Sequence, residues 1–255
     1  MNISGVIITY NEEDNLEDCL NSLKDVVDEV IVVDSFSTDR TKAIAESFGV
    51  RFFEHKFEGH IQQKNYAINL AENDWVLALD ADERLSNELR EGIKVIKSSE
   101  ANAKVAAYQF NRLSNYCGKW IRHSGWYPDT KIRLWNRRLG KWGGVNPHDS
   151  VKLDVGVQVK KIKGDLEHYS FYTLEQHLSQ INKFTTIAAQ ESYKRGKRVT
   201  FAVHVVLYPF WLFIKNFFLK LGFLDGYFGF IICINGAFYK YQKYIKLYLL
   251  ERRKK

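Results

Sequence analysis

The chain has 255 residues, enough for one sizeable core with an appendage, and its 45% hydrophobic and 15% aromatic content excludes a disordered polymer. Residues 201–255 hold nine Lys/Arg against Asp225 and Glu251, a surplus of seven that equals the whole net charge, so residues 1–200 balance to zero. Because that surplus sits among apolar aromatic runs, it points to an anionic membrane surface and away from a nucleic-acid partner. Cys19, Cys117 and Cys233 are widely spaced, which supports neither a disulfide framework nor a zinc site. The first apolar run is only a strand long and no basic segment precedes it, so no secretory signal is expected and the catalytic part is placed in the cytoplasm.

Residues 3–8 are rich in β-branched side chains and read as a strand ending at Thr9-Tyr10-Asn11-Glu12-Glu13. Asn11 is expected to cap the helix that follows, with the acidic residues complementing its dipole. A second strand over 29–33 breaks at Asp34-Ser35-Phe36-Ser37-Thr38-Asp39, and a helix over about 40–48 stops at Gly49. Residues 50–54, 60–71 and 75–79 read as strand, helix and strand. The last of these ends in Leu79-Asp80-Ala81-Asp82-Glu83. Strands alternating with helices predict an α/β fold with a mostly parallel sheet, whose ligands bind beyond the carboxyl ends of the strands. Three polar clusters fall at that edge, and the paired carboxylates Asp80 and Asp82 suit a divalent cation shared with substrate phosphates. No Gly-x-Gly-x-x-Gly or Walker lysine appears, so neither a dinucleotide fingerprint nor a P-loop is supported.

Those three clusters, together with Gly125-Trp126-Tyr127-Pro128-Asp129, Lys131-Ile132-Arg133-Leu134-Trp135 and Val145-Asn146-Pro147-His148-Asp149, resemble glycosyltransferase family 2. The extended pattern is similar to the branch containing lipopolysaccharide-core β-1,4-glucosyltransferases. It covers about residues 3–195 and implies the GT-A fold. Where that branch usually shows His-Glu, this chain has His148-Asp149.

The resemblance implies that Thr9, Tyr10, Glu12 and Asp34 face the base and ribose of a nucleotide-sugar donor. A carboxylate there can accept from base N–H and ribose hydroxyls. Lys64 and Asn65 are expected to line the nucleotide pocket. Asp80 is expected toward the ribose and metal, and Asp82 to ligate Mg2+ or Mn2+, with His168 as the late histidine that reaches the metal in many such enzymes. Arg133 is the candidate for pairing with diphosphate or an anionic acceptor, since guanidinium binds such oxygens bidentately. Asp149 is the candidate general base for direct displacement with inversion, because an aspartate is ordinarily ionised at neutral pH, and His148 is expected to orient it or bind the acceptor.

Ser86 is expected to cap a helix through about residue 97, and residues 104–112 and 131–135 read as strands. Thr173 and Gln176 form a capping-box pattern before a helix over about 174–193 that buries Leu174, Leu178, Ile181, Phe184 and Ile187. Residues 199–219 and 223–239 are apolar but interrupted, by Pro209, Asp225 and Asn235 among others. They read as two interfacial or re-entrant helices in a membrane-associating region, 199–255, that follows a catalytic domain of residues 1–198. The combined expectation is a hexosyltransferase, glucose from a UDP donor being the leading pair. It would act on a lipid-linked glycan at the cytoplasmic face of the inner membrane. Transfer to polyprenyl phosphate, or an inactive sugar- or lipid-binding adaptor, stands as the alternative.

Overall fold

A computed structural model describes residues 1–99, 105–145 and 148–252, with the side chains of residues 145 and 148 outside that description. Compact packing divides the chain into one unit of Met1–Arg112 with Asp129–His168 and a second of Leu113–Pro128 with Tyr169–Lys255. The boundary expected at residue 198 does not separate compact parts, because the preceding long helix and residues 113–128 group with the C-terminal helices.

The first unit contains strands β1 (Ile3–Thr9), β2 (Glu29–Asp34), β3 (Arg51–Glu54), β4 (Trp75–Asp80) and β5 (Glu83–Leu85), and it takes in most of β6 (Val105–Tyr116). After β7 (Lys119–Ile121) of the second unit come β8 (Asp129–Asn136), β9 (Gly140–Val145), β10 (His148–Leu153) and β11 (Gln158–Phe171). Helices α1 (Leu16–Leu23), α2 (Thr41–Ser47), α3 (His60–Asn69) and α4 (Asn87–Ser98) complete it. The main sheet runs β3-β2-β1-β4-β8-β6-β11-β5, its first four strands parallel and β8 antiparallel to β4.

Strands β1, β2 and β4 are largely buried on both faces, as their continuous apolar runs require, while β3 forms the partly exposed edge. Ile3 and Ile7 of β1 join Leu16, Leu23, Leu89 and Ile93 on one side, while Val6 joins Ile31, Ala67 and Ile68 on the other, the two-residue period of a strand. Register then fixes the functional edge: Thr9 lies opposite Asp34, and Ile8 opposite Asp80. At Gly164, φ is +94° and a Cβ would stand 2.4 Å from the Leu89 backbone nitrogen, so only glycine lets β11 pass this close to the start of α4.

Local chemistry departs from the sequence reading at two helices. Asn11 does not cap α1; it takes a positive φ of 53°, and its side-chain oxygen accepts from the Thr38 N–H at 2.8 Å. The helix begins at Leu16, and Asn15 occupies the cap position. Helix α5 (Leu174–Lys194) has the expected Thr173/Gln176 capping box, yet its buried side chains are His177, Ile181, Thr185 and Ala189, and Leu174, Leu178 and Ile187 are exposed. Helix α5 packs on α7 (Gly226–Arg252).

In the second unit, one face of α7 is buried. Its Ile232 is buried with Tyr116 and Ile121, and its Asn235 amide lies 3.1 Å from His177 Nδ1, which Tyr116 Oη approaches to 3.0 Å. Burial pushes the His177 imidazole down to about 4, so it stays neutral inside this polar knot. Helix α6 (Tyr208–Ile214) continues through π-helical turns at Phe201–Leu207 and Lys215–Leu219 into one rod, Phe201–Leu219. By length and composition, this rod and the helix Gly222–Arg252 could each cross a membrane.

Candidate functional site

The edge formed by β1, β2 and β4 carries the first two polar clusters. Asp34 is buried at the end of β2, and its oxygens accept from Thr9 Oγ1 (2.8 Å), the Ser37 N–H (2.6 Å) and Ser37 Oγ (2.5 Å). With three of its about four acceptor positions used in this way, Asp34 shapes its loop. Tyr10 projects from the same edge and is 61% exposed. Glu12 takes a bond from Asn15 Nδ2 at 2.9 Å, and Thr41 Oγ1 accepts its N–H at 2.8 Å. Burial pushes the Glu12 carboxyl up to about 7; the Asn15 bond opposes this, and the charges of Asp82, Asp80 and Asp39 add to it.

Beyond β4 the carboxylates divide into two sets. Lys64 on α3 stands 2.9 Å from Asp80 Oδ1 and 3.0 Å from Asp149 Oδ2. Arg133 on β8 donates to Asp80 Oδ2 at 2.9 Å and to Glu83 Oε1 at 2.6 Å. Burial alone would raise the Asp80 carboxyl, but Lys64 and Arg133 outweigh it and hold Asp80 well below the usual carboxylate range. Trp142 of β9 lies under both cations, 4.5 Å from Lys64 Nζ and 5.4 Å from Arg133 Cζ at its ring centroid. Buried in this way, Arg133 has its charge matched by the carboxylates of Asp80 and Glu83. Asp80 places one oxygen against each cation.

Asp82 and His168 form the second set. β5 pairs antiparallel with β11 so that His168 lies opposite Glu83, and this register brings His168 Nε2 to 3.1 Å from Asp82 Oδ2. Among the described residues no group of three or more His, Cys, Asp and Glu side chains converges into a closed metal cage. An open pair of one carboxylate and one imidazole nevertheless fits a cation whose remaining positions go to substrate phosphates and water, as Mg2+ and Mn2+ sites commonly do.

Asn65 serves the fold of the site. Its side chain exchanges two bonds of 3.0 Å with the Trp142 backbone, clamping α3 to the β9–β10 hairpin that presents Asp149. The expected role of His148 falls on a side chain outside the described residues. Sequence reasoning missed Glu83 and Trp142. Glu83 is fully buried, accepts the Asp80 N–H at 3.0 Å and balances Arg133. Its only signal was a carboxylate directly before Arg84-Leu85, a strand too short to show a period.

The model of the family described as glycosyl transferase family 2 matches residues 4–151, from β1 through the hairpin carrying Asp149. The chain belongs to glycosyltransferase family 2. An uncharacterized glycosyltransferase of Rickettsia typhi is 34% identical over 96% of this chain and 86% of that protein. The lipopolysaccharide core biosynthesis glycosyltransferase LpsC of Rhizobium meliloti is 27% identical over 96% of this chain and 92% of its own length. Among solved structures, the mannosyltransferase PcManGT of Pyrobaculum calidifontis, in complex with GDP-Man and Mn2+, superposes with a TM-score of 0.55. That match covers 98% of this chain and 88% of the other at 15% identity, a likeness of fold. This family 2 glycosyltransferase therefore has the GT-A architecture that its sequence resemblance implied.

Proposed function

We propose that this enzyme transfers a hexose, with inversion, from a nucleoside-diphosphate sugar to a lipid-linked glycan at the cytoplasmic face of the inner membrane. Glucose from a UDP donor, and an acceptor of the lipopolysaccharide-core class, are the expected substrates. The observation that carries the reading is the shared ammonium of Lys64. It sets Asp149, the candidate base, beside the acidic turn where a donor diphosphate would lie. The naming of LpsC as a lipopolysaccharide core enzyme supports the acceptor class, and the GDP-Man and Mn2+ of PcManGT support a metal-assisted nucleotide-sugar donor.

In this reading Tyr10, Glu12 and Asp34 bind the nucleoside. Asp149 takes the proton of the acceptor hydroxyl as its oxygen attacks the anomeric carbon from the face opposite the leaving diphosphate. One such displacement inverts the anomeric centre, and the transition state is oxocarbenium-like by analogy with glycoside hydrolysis. Asp82 and His168 would hold the divalent metal, which when bound supplies positive charge to the departing diphosphate. Lys64 and Arg133 fix Asp80, and through Lys64 the position of Asp149.

A thermal-shift screen of nucleotide sugars with Mg2+ or Mn2+, followed by NMR of the product linkage, tests this. Donor-dependent stabilisation and an inverted linkage are expected. Retention of configuration, or no response to any nucleotide sugar, would overturn it.

A further inference from the structure

The rod Phe201–Leu219 carries large apolar side chains that its own unit leaves uncovered. Val206, Leu207, Phe210, Trp211, Phe218 and Leu219 are all about half exposed or more, at steps of three, four and seven residues. On the opposite side Val205 and Pro209 are buried, and Phe213 and Phe217 each pack a ring 5.8 Å from Phe230 of α7. The connecting turn extends the apolar surface through Leu221, Phe223, Leu224 and Tyr227. Contiguous exposure of this kind marks a membrane or protein contact. Charge favours the membrane: Lys215 and Lys220 are exposed beside these residues, and the segment 201–255 carries the whole positive surplus of the chain. Anionic lipid headgroups attract that surplus, whereas a second copy would bring the same sign against it.

Ties at both ends of the rod determine how it can meet a bilayer. Near the turn, the Ser124 N–H donates to the Lys220 carbonyl at 3.0 Å, and Asp225 accepts from the N–H groups of His123 (2.8 Å) and Arg122 (3.2 Å). Near the other end, α7 returns along α5, where Lys246 Nζ donates to Asn182, Thr185 and Thr186. The Val199 N–H also donates to Glu251 at 3.1 Å. To cross the bilayer, the hairpin would have to drag the Arg122–Ser124 loop through it and sink α5, with Glu175, Lys183 and Glu191, into hydrocarbon. Ionisable groups are rare at that depth because the cost is high.

We propose that Phe201–Leu219 lies in the plane of one leaflet of an anionic membrane, entering by its Leu207, Phe210, Trp211 and Phe218 face, and does not span. This deepens the membrane location proposed above and is independent of the transfer chemistry. The test is nitroxide scanning of positions 203, 206, 207, 210, 211, 214 and 218, one at a time. It uses the full chain carrying Cys117→Ser, bound to phosphatidylglycerol/phosphatidylcholine vesicles. Labels on the exposed stripe should share one shallow depth of about 5–10 Å. A depth profile that passes through the bilayer centre along the rod would overturn single-leaflet binding while leaving the membrane location standing. Labels that stay in water, or couple between copies without lipid, would overturn both. In parallel, Phe210→Glu with Trp211→Glu should lower partition into these vesicles by about tenfold or more, since each side chain withdraws a large apolar area. Donor binding should be unchanged, and undiminished partition would count against the proposed face.

Discussion

Lys64 Nζ lies 3.0 Å from Asp149 Oδ2, an ion pair that joins helix α3 to the β10 strand across 85 positions of sequence. Both side chains are largely buried, so the pair is shielded from the screening that makes surface salt bridges weak. Asp149→Asn keeps the size of the side chain and a carbonyl oxygen for Lys64 to donate to. It should lower kcat by roughly 100-fold or more, the scale of general-base catalysis, with donor affinity nearly unchanged by calorimetry. Loss of donor binding with turnover retained would move Asp149 into the donor site.

Lys64→Met should be the more damaging change to the fold. It leaves Asp149 without its cation and Asp80 with Arg133 alone, and breaking a buried pair typically costs about 3–5 kcal/mol. Urea denaturation of Lys64→Met, Asp149→Asn and the double variant measures the coupling. The double variant should be more stable than the two single losses predict, because the second change removes the charge stranded by the first. Strict additivity would show that the pair carries no energetic link.

Asp82→Asn and His168→Ala should each abolish metal-dependent donor binding while leaving the thermal midpoint close to wild type. The two side chains lie 3.1 Å apart, and both retain some exposure. Titrating a nucleotide sugar with and without Mn2+ separates the metal-dependent part. Wild-type turnover of Asp82→Asn in excess chelator would remove the metal from this site.

Glu12 gives the fold a pH dependence of definite sign. Its carboxyl is pushed from the ordinary 4.5 up to about 7 by burial. Between those values the folded protein holds a proton that the unfolded chain releases, so stability falls as pH rises through the window and stays reduced above it. Glu12→Gln cannot ionise and should gain on wild type, on the order of 1–3 kcal/mol, when both are moved from about pH 5 to about pH 8. Parallel melting curves across that range would show that Glu12 titrates as an ordinary glutamate.

Legibility in the sequence followed the range of the interactions. Thr9, Asp34 and Asp80 could be placed at one sheet edge because each ends an apolar run, and parallel register does the rest. His168 could be matched only through the family resemblance, since it reaches Asp82 by the pairing of a three-residue strand. The pairing of Arg133 with Glu83, fifty residues earlier, was not legible because nothing local shows that the two are buried together. The same limit explains α7. Asn235 looked like an interruption of its uncharged run, whereas it is the residue that meets Tyr116 and His177 on the buried face of the helix.

That placement of α7 changes what a truncation would do. A chain ending near Arg198 would lose not only the exposed rod but also the cover over Tyr116 and Ile121, both almost wholly buried. It should aggregate or melt early, and its failure to bind vesicles would carry little information. Charge at the C-terminal run offers a gentler probe of the electrostatic part of binding. Converting Arg252, Arg253, Lys254 and Lys255 to Gln removes four positive charges. Of the four, Arg252 has a described contact, stacking 4.6 Å from the Tyr248 ring. With about 1 kcal/mol per basic residue near an anionic surface, and less at high salt, co-sedimentation with anionic vesicles should weaken by at least an order of magnitude at low ionic strength. The difference from wild type should shrink as salt is raised through about 0.15 M, where the screening length falls to about 8 Å. Binding to neutral vesicles, which depends on the apolar face of Phe201–Leu219, should be the same for both proteins. Equal loss on neutral and anionic vesicles would mean that the substitutions act through the fold of α7 and not through charge.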